Sequence, residues 1–330
     1  LCAVPAFRAV RQTFPAARTA LVTAPVNHQV VQGNPYLDEI LLFDKVAVRR
    51  SPLAAARFLR RLRAFRADLA IVLNTVSYSG TSSWIAVLSG ARRIIGGDSR
   101  PFGWSFSGWL YNLEMPADPE ITGHAIEHGL RPLQEVGFRI GDRSTVLVPD
   151  EADHRAAADF LGGVGPPPWA ALHPGAGKEA NRWPASRFAA AAAWLEEAGF
   201  SPFLVEGPAD APATAATQAA RSRPLPVLGG VTVRVVGAAL ARCALALVND
   251  TGVMHVAGAV GTPTLALFGP TPAASWKPPG EHVTALQSPD GTMEGLGLEA
   301  VEAALRPLMD AARAPGGDRA AEGGPRSGGA

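Results

Sequence analysis

A polar tetrapeptide, NDTG at residues 249–252, separates two apolar runs, and a single histidine, His255, follows it by three residues. This pattern predicts a buried strand, a polar loop and a short helix over about residues 253–260. A helix that begins here directs unpaired N–H groups and a positive end out of the sheet, which suits a phosphate. We expect Asp250 to cap the helix, Thr251 to offer a hydroxyl and His255 to donate to an anion.

Gly252 favours the same interpretation, because a residue without a Cβ lets a phosphate come close to the backbone. A purely structural N-cap beside a histidine of the core would have the same sequence pattern. For this stretch alone, both interpretations stay open.

A second polar loop follows an apolar run at residues 173–184, HPGAGKEANRWP. It contains Gly175 and carries Lys178 and Arg182 just before a predicted helix, and two such cations can neutralise a diphosphate. The loop is not a P-loop, which would require Ser or Thr at Glu179. An ordinary strand-to-helix loop is the structural alternative.

The third polar loop, EGPAD at residues 206–210, also ends a predicted strand. Asp210 is a candidate partner for ribose hydroxyls, because a carboxylate accepts two hydrogen bonds. A turn with a capping aspartate is the alternative. Three such loops at one sheet edge favour a site for a nucleoside diphosphate more strongly than any one of the loops does alone.

Apolar runs that alternate with helical periodicity must position these loops, and the alternation predicts an α/β fold with parallel sheets. The Gly- and Pro-rich stretch GGVGPPP at 162–168 is typical of a linker. We therefore expect an N-terminal domain over 1–161 and a C-terminal domain over 169–312, followed by a disordered tail at 313–330. Predicted strands lie at the following residues: 19–25, 39–44, 68–74, 92–97, 169–174, 201–207, 244–250 and 262–269.

The composition, with 47% hydrophobic residues and a net charge of +1 over 330 residues, is that of a globular protein. Residues 1–150 carry 17 Lys and Arg against 12 Asp and Glu, whereas the remainder carries 13 against 17. A basic first half favours an anionic partner, although a solvated helix face is the simpler explanation. The sequence shows no nucleic-acid-binding motif, no signal peptide and no membrane-spanning segment. We therefore expect a cytoplasmic protein.

The three loops together resemble glycosyltransferase family 9, the ADP-heptose:lipopolysaccharide heptosyltransferases and their relatives. The resemblance is carried by HPGAGKEANRWPASRFA, LVEGPAD and ALALVNDTGVMHVAGAVGTPTLALFGPT, whose order and spacing match the family. Its most specific part is D-T-G-x-x-H, followed by G-x-P and F-G-P-T. LCAVPAFRAVRQTFPAARTALV and HAIEHGLRPLQEVGF are similar more weakly, so the resemblance extends to about Leu308.

The resemblance implies a GT-B fold, in which two Rossmann-like domains face each other across a cleft. The C-terminal domain would bind the nucleotide sugar and the N-terminal domain the acceptor. By the family's motifs, Asp250, Thr251, Gly252 and His255 would hold the donor diphosphate, and Asp210 would lie near the ribose. Neither a metal ion nor another cofactor is expected, since helix ends and cations can stabilise the leaving diphosphate.

Two positions depart from the family. The family often has Lys two residues before the Trp-Pro pair, where this chain has Asn181, so Lys178 or Arg182 would replace that charge. The family's catalytic base is an Asp before the first helix, and the match at Pro5 places it upstream of Leu1. We therefore expect the chain to be truncated at its N-terminus and its catalytic residue to be unknown.

Arginine and aromatic residues of the first half are candidates for the acceptor side. Arg92, Arg93 and Trp104 would form a wall that faces the acceptor or a membrane, and a plain domain core is the alternative. We expect a monomer whose partners are a nucleotide sugar and an anionic glycolipid, with peripheral contact at the inner face of the cytoplasmic membrane.

The predicted function is an inverting glycosyl transfer from an ADP-sugar, most simply ADP-heptose, to a lipopolysaccharide core or similar anionic glycolipid. One alternative is a family 9-like transferase with another donor or acceptor, and a second is a non-catalytic or truncated nucleotide-sugar-binding protein. An NAD-dependent oxidoreductase is disfavoured, because no G-x-G-x-x-G follows a strand near the front of either half.

Overall fold

The computed structural model describes residues 1–73, 77–104, 106–118, 120 and 123–314 of the chain. The chain divides into two compact units, one of residues 1–146 and one that begins at Leu147. Each unit is built of helices and parallel strands, which confirms the predicted α/β class. The predicted tail at 313–330 lies outside the described residues from position 315 onward.

In the described part of the first unit, short parallel strands form two sheets, one of β1 and β2 and one in the order β3, β4, β5. The strands are β1 (Ala20–Thr23), β2 (Glu39–Leu42), β3 (Leu69–Val72), β4 (Arg93–Gly97) and β5 (Leu113–Met115). The helices are α1 (Val4–Thr13), α2 (His28–Val31), α3 (Lys45–Arg50), α4 (Pro52–Ala64), α5 (Gly80–Leu88), α6 (Ser107–Leu110) and α7 (Glu127–Glu135).

The second unit has one parallel sheet in the order β11, β10, β9, β6, β7, β8. Its strands are β6 (Trp169–His173), β7 (Ser201–Val205), β8 (Val227–Leu228), β9 (Leu245–Asn249), β10 (Thr264–Phe268) and β11 (Val283–Gln287). Its helices are α8 (Glu151–Gly162), α9 (Ala185–Glu197), α10 (Ala211–Ala219), α11 (Val233–Leu240), α12 (Gly252–Ala259), α13 (Ala273–Trp276) and α14 (Leu298–Arg313).

The strand order reverses between β6 and β9, which are hydrogen-bonded neighbours. This position is the topological switch point of the sheet. The chain runs outward from β6 through β7 to β8, returns to β9 and then runs outward the other way. At such a switch point the loops after the two central strands diverge to opposite faces and leave a crevice at the carboxyl edge. The loops after β6 and β9 therefore flank the crevice.

The core of the second unit holds that edge rigid. Leu172 of β6, Leu247 of β9 and Leu267 of β10 are fully buried, and Phe188 of α9 packs in the same cluster. Strands buried on both faces read as continuous apolar runs, which is why the sequence marks them clearly.

The division between the units lies earlier in the chain than the predicted linker. Helix α8 packs on α11, and the buried Arg234 guanidinium lies 2.9 Å from Asp150 Oδ2 and 2.8 Å from Asp153 Oδ2. A buried guanidinium needs such carboxylates, so α8 belongs to the second unit. Of the predicted linker at 162–168, Gly162 ends α8, and residues 163–168 connect α8 to β6 inside the second unit.

No helix among the described residues is both long and apolar enough to cross a membrane.

Candidate functional site

The buried side chain of Asn249, at the end of β9, joins the loop after β6 to the neighbouring strand. Its Nδ2 donates to the carbonyl oxygens of Pro174, at 3.0 Å, and Gly175, at 3.2 Å. Its Oδ1 accepts from the backbone N–H of Trp183, at 3.2 Å. One amide thus fixes both ends of the 174–183 loop. The sequence marked Asn249 as polar but did not predict this role.

Thr251, rather than Asp250, caps the helix that follows β9. The Thr251 hydroxyl accepts from the backbone N–H of Val253 at 3.0 Å, and α12 begins at Gly252. The prediction that Asp250 is the cap was therefore wrong, because extended backbone at Thr251 puts that residue in the N-cap position. The helix starts at the carboxyl edge, as the pattern predicted.

The carboxylate of Asp250 is instead held by an asparagine. Asn181 Nδ2 donates to Asp250 Oδ2 at 3.1 Å and lies 3.2 Å from the Thr271 hydroxyl oxygen. Burial raises the pKa of the Asp250 carboxyl, and the Thr271 hydroxyl and the charge of Lys178 oppose that rise. The four residues form one polar cluster between the two loops.

The two predicted cations of the 174–183 loop differ in their surroundings. Arg182 donates from Nε and Nη2 to the Ala176 carbonyl, at 3.1 and 3.0 Å, so its guanidinium braces the loop. Lys178 is exposed, and its charge acts on Asp250. Lys178 is therefore the better placed of the two to meet an anion.

Asp210 is 9% exposed, and it joins the loops after β6 and β7. Its Oδ2 accepts from the backbone N–H of Gly207 at 2.9 Å, and a Cβ on Gly175 would lie 2.2 Å from Asp210 Cγ. The carboxylate is thus part of the packing, and this explains why position 175 requires glycine. The half-buried Glu206, at the end of β7, is the more accessible carboxylate of this loop.

Gly252 and His255 lie in the first turn of α12. Gly252 is exposed, and a Cβ added to it would meet nothing within 4 Å, so the start of the helix is open. His255 is half-buried. The structure therefore brings the predicted helix, Lys178 and Asp250 together at one edge, and their roles as ligands stay predictions.

The proposed acceptor residues lie on either side of β4 in the chain. Arg92 and Arg93 lie at the amino end of β4, whereas Trp104 follows its carboxyl end. A five-residue strand separates these ends by roughly 13 Å, at the rise of about 3.3 Å per residue. Their role on the acceptor side stays a prediction.

Known structures share this fold over nearly the whole chain. A glycosyl transferase family 9 structure from Veillonella parvula is 23% identical, with a TM-score of 0.81 and 93% coverage of both chains. ADP-heptose lps heptosyltransferase II of E. coli is 18% identical, with a TM-score of 0.78 and coverage of 95% of this chain and 96% of that one. These similarities confirm that the fold is of the GT-B class.

A third structure, E. coli heptosyltransferase WaaC with ADP, is 17% identical, with a TM-score of 0.73 and coverage of 93% of this chain and 95% of that one. The same enzyme has also been solved with ADP-2-deoxy-2-fluoro heptose. No curated protein sequence matches this chain.

The sequence profile of glycosyltransferase family 9 (heptosyltransferase) matches residues 55–302. The chain therefore belongs to glycosyltransferase family 9, and the resemblance drawn from its three loops is confirmed. It is a transferase of the heptosyltransferase type.

The first prediction concerns the amide that joins the loops. Asn249→Ala would leave two carbonyls and one N–H without their partner, at about 1–3 kcal/mol for each buried group that stays unsatisfied. We expect a lower free energy of unfolding in urea and weaker binding of ADP, measured by calorimetry. Asn27→Ala, at an exposed position, is the control. Wild-type stability and ADP affinity in Asn249→Ala would contradict the role.

The second prediction concerns pH. Burial lowers the pKa of His173, whose Nδ1 donates to the Val205 carbonyl at 2.9 Å. A group with a depressed pKa in the folded state stabilises the fold above its unfolded value, about 6.5, and loses this contribution as pH falls. The free energy of unfolding should therefore fall below pH ~6.5, by up to about 1.4 kcal/mol per pH unit.

His173→Gln should flatten that decline in urea titrations, since glutamine does not titrate. His154→Gln, at an exposed position of α8, is the matched control and should leave the slope unchanged. An equal slope in wild type and His173→Gln would show that His173 does not carry the effect.

Proposed function

We propose that this chain transfers a heptose, or a related sugar, from an ADP-sugar to a lipopolysaccharide core or similar anionic glycolipid. The observation that carries the proposal is the open N-terminus of α12 beside the exposed Lys178 at the switch point of the sheet. Helix N–H groups and an ammonium are suited to a diphosphate. Family membership and the ADP and ADP-heptose analogue bound by WaaC support an ADP-sugar donor.

In the proposed reaction, an acceptor hydroxyl attacks the anomeric carbon of the donor sugar. The bond from that carbon to the diphosphate oxygen breaks, ADP leaves, and the configuration inverts. The hydroxyl proton passes to a general base, whose identity remains a prediction from the family resemblance. Charge grows on the leaving diphosphate, and Lys178 and the start of α12 would stabilise it.

Within the described ranges, no group of three or more His, Cys, Asp or Glu side chains could hold a metal ion. We propose that the cationic lysine and helix end serve the leaving group without a resident metal or cofactor. We further propose that the protein works as a monomer at the inner face of the cytoplasmic membrane. The excess of basic residues in positions 1–150 supports an anionic acceptor there.

The third prediction tests the donor site. Lys178→Ala should weaken ADP binding about tenfold, because a charge-assisted hydrogen bond contributes about 1.5–3 kcal/mol and tenfold corresponds to 1.4 kcal/mol. Lys45→Ala, an exposed lysine of the first unit, is the control and should bind as wild type does. Calorimetry with ADP, UDP and GDP, with and without a chelator, gives the affinities.

Three outcomes of that experiment are decisive. Preference for ADP that the chelator leaves unchanged supports the proposed donor and the absence of a metal. An equal loss of ADP affinity in both lysine variants would contradict the proposed site. A preference for UDP or GDP would contradict the proposed donor. Transfer of radiolabelled heptose to lipopolysaccharide core then separates a transferase from a protein that binds the donor without turnover.

A further inference from the structure

The carboxylate of Asp250 is held by neutral partners at the place where the donor diphosphate is proposed to bind. Asn181 Nδ2 donates to Asp250 Oδ2 at 3.1 Å, and the same nitrogen lies 3.2 Å from the Thr271 hydroxyl oxygen. Neither partner is an ion, so the ionised carboxyl keeps its full negative charge. Helix α12 begins two residues later, with an open first turn.

The amide that holds Asp250 also has an unused acceptor. Asn181 is 8% exposed, and its Oδ1 has no hydrogen-bond partner among the described residues. A buried amide oxygen without a partner is unfavourable. A half-turn of this side chain exchanges its oxygen and its NH2 group, and the oxygen can then accept from Asp250 once that carboxyl carries a proton. The cluster therefore contains a partner for the protonated carboxyl.

The charged groups around Asp250 compensate its charge only in part. Lys178 acts on the carboxyl with its positive charge, but the lysine is exposed and its charge is screened by solvent. In the same loop, Arg182 donates to a backbone carbonyl and Glu179 is exposed. The loop after β10 has no titratable side chain before α13, and α12 contributes the half-buried His255.

We infer that Asp250 binds a proton from solvent when the donor diphosphate binds, so that a neutral carboxyl, with Asn181 as its acceptor, faces the phosphates. This inference rests on the proposed function, because the diphosphate must lie between Lys178 and α12 for its charge to act on Asp250. The step is an acid–base equilibrium: one proton passes from water or buffer to a carboxylate oxygen, and no other bond changes.

The balance of charges favours this protonation. Two unit negative charges about 6 Å apart, at an effective dielectric constant of about 20, repel each other by roughly a hundredfold in affinity. A proton on a carboxyl is disfavoured by about tenfold for each pH unit above the pKa of that carboxyl. Burial already raises the pKa of Asp250, against the Thr271 hydroxyl and the charge of Lys178. A bound phosphate raises this pKa further, so the protonated form becomes the more stable one in the complex.

The fourth prediction is that ADP binding is linked to proton uptake at Asp250. Calorimetry in buffers with different ionisation enthalpies, between about pH 6 and about pH 8, counts the protons bound with each ADP. Because ADP itself titrates in this range, the decisive quantity is the difference between wild type and Asp250→Asn. We expect wild type to take up more protons than Asp250→Asn does, by up to about one for each ADP, because an amide does not titrate.

The affinities should show the same linkage. ADP affinity of wild type should fall as pH rises, by up to about tenfold per pH unit relative to Asp250→Asn. Asp250→Asn should therefore bind ADP more tightly than wild type, by about tenfold or more near pH 8, and the difference should narrow as pH falls. A variant that had merely lost a structural contact would bind ADP more weakly at every pH.

Two further variants sharpen the comparison. Glu179→Gln removes an exposed acid of the same loop and is the matched control, so its proton uptake should equal that of wild type. Asn181→Lys places an ammonium beside the carboxylate and should abolish the uptake at Asp250, because the charge is then compensated without a proton. Circular dichroism checks that each variant folds. If Asp250→Asn does not fold, Asn181→Lys provides the same comparison with wild type.

Equal proton uptake in wild type and Asp250→Asn, or weaker ADP binding by Asp250→Asn near pH 8, would overturn the inference. Loss of the uptake in His255→Gln, with the uptake kept in Asp250→Asn, would assign the proton to the histidine and would also overturn it. Lys178→Ala distinguishes the two proposals. Wild-type ADP affinity in Lys178→Ala contradicts the donor site, whereas weaker binding there, with unchanged uptake in Asp250→Asn, contradicts only the protonation of Asp250.

Discussion

The buried amide of Asn249 is the interaction on which the arrangement of the candidate site depends. Parallel strands end at one edge by necessity, but the loops that follow them could point in many directions. Asn249 removes that freedom by binding the loop after β6 at Pro174, Gly175 and Trp183. Asp210 then fixes the next loop against Gly175, so the crevice at the switch point has a defined wall.

The electrostatics of the site follow from that framework. A carboxylate at Asp250 would repel a diphosphate, yet it is engaged by Asn181 and faces the charge of Lys178. The positive end of α12 begins two residues later. An aspartate between a lysine and a helix end orders the cluster, and the cluster as a whole remains suited to an anion.

The strands of the second unit could be predicted from sequence because each is a buried apolar run bounded by polar residues. The edge strands β8 and β11 were missed, since β8 has two residues and β11 is only partly buried. The packing roles of Asp210 and Arg182 were not predicted, for a related reason. Arg182 donates to the Ala176 carbonyl, and Asp210 accepts from the Gly207 N–H. The sequence does not indicate that either side chain binds a backbone group of its own loop, because this depends on the conformation of the loop.

We propose that the loops at 174–183 and 249–255 together hold the donor diphosphate. A crystal structure of the full chain with ADP tests it most directly. We predict that the phosphates lie between Lys178 and the first turn of α12. ADP bound elsewhere on the chain, with both loops free of ligand, would show that these loops are not the donor site.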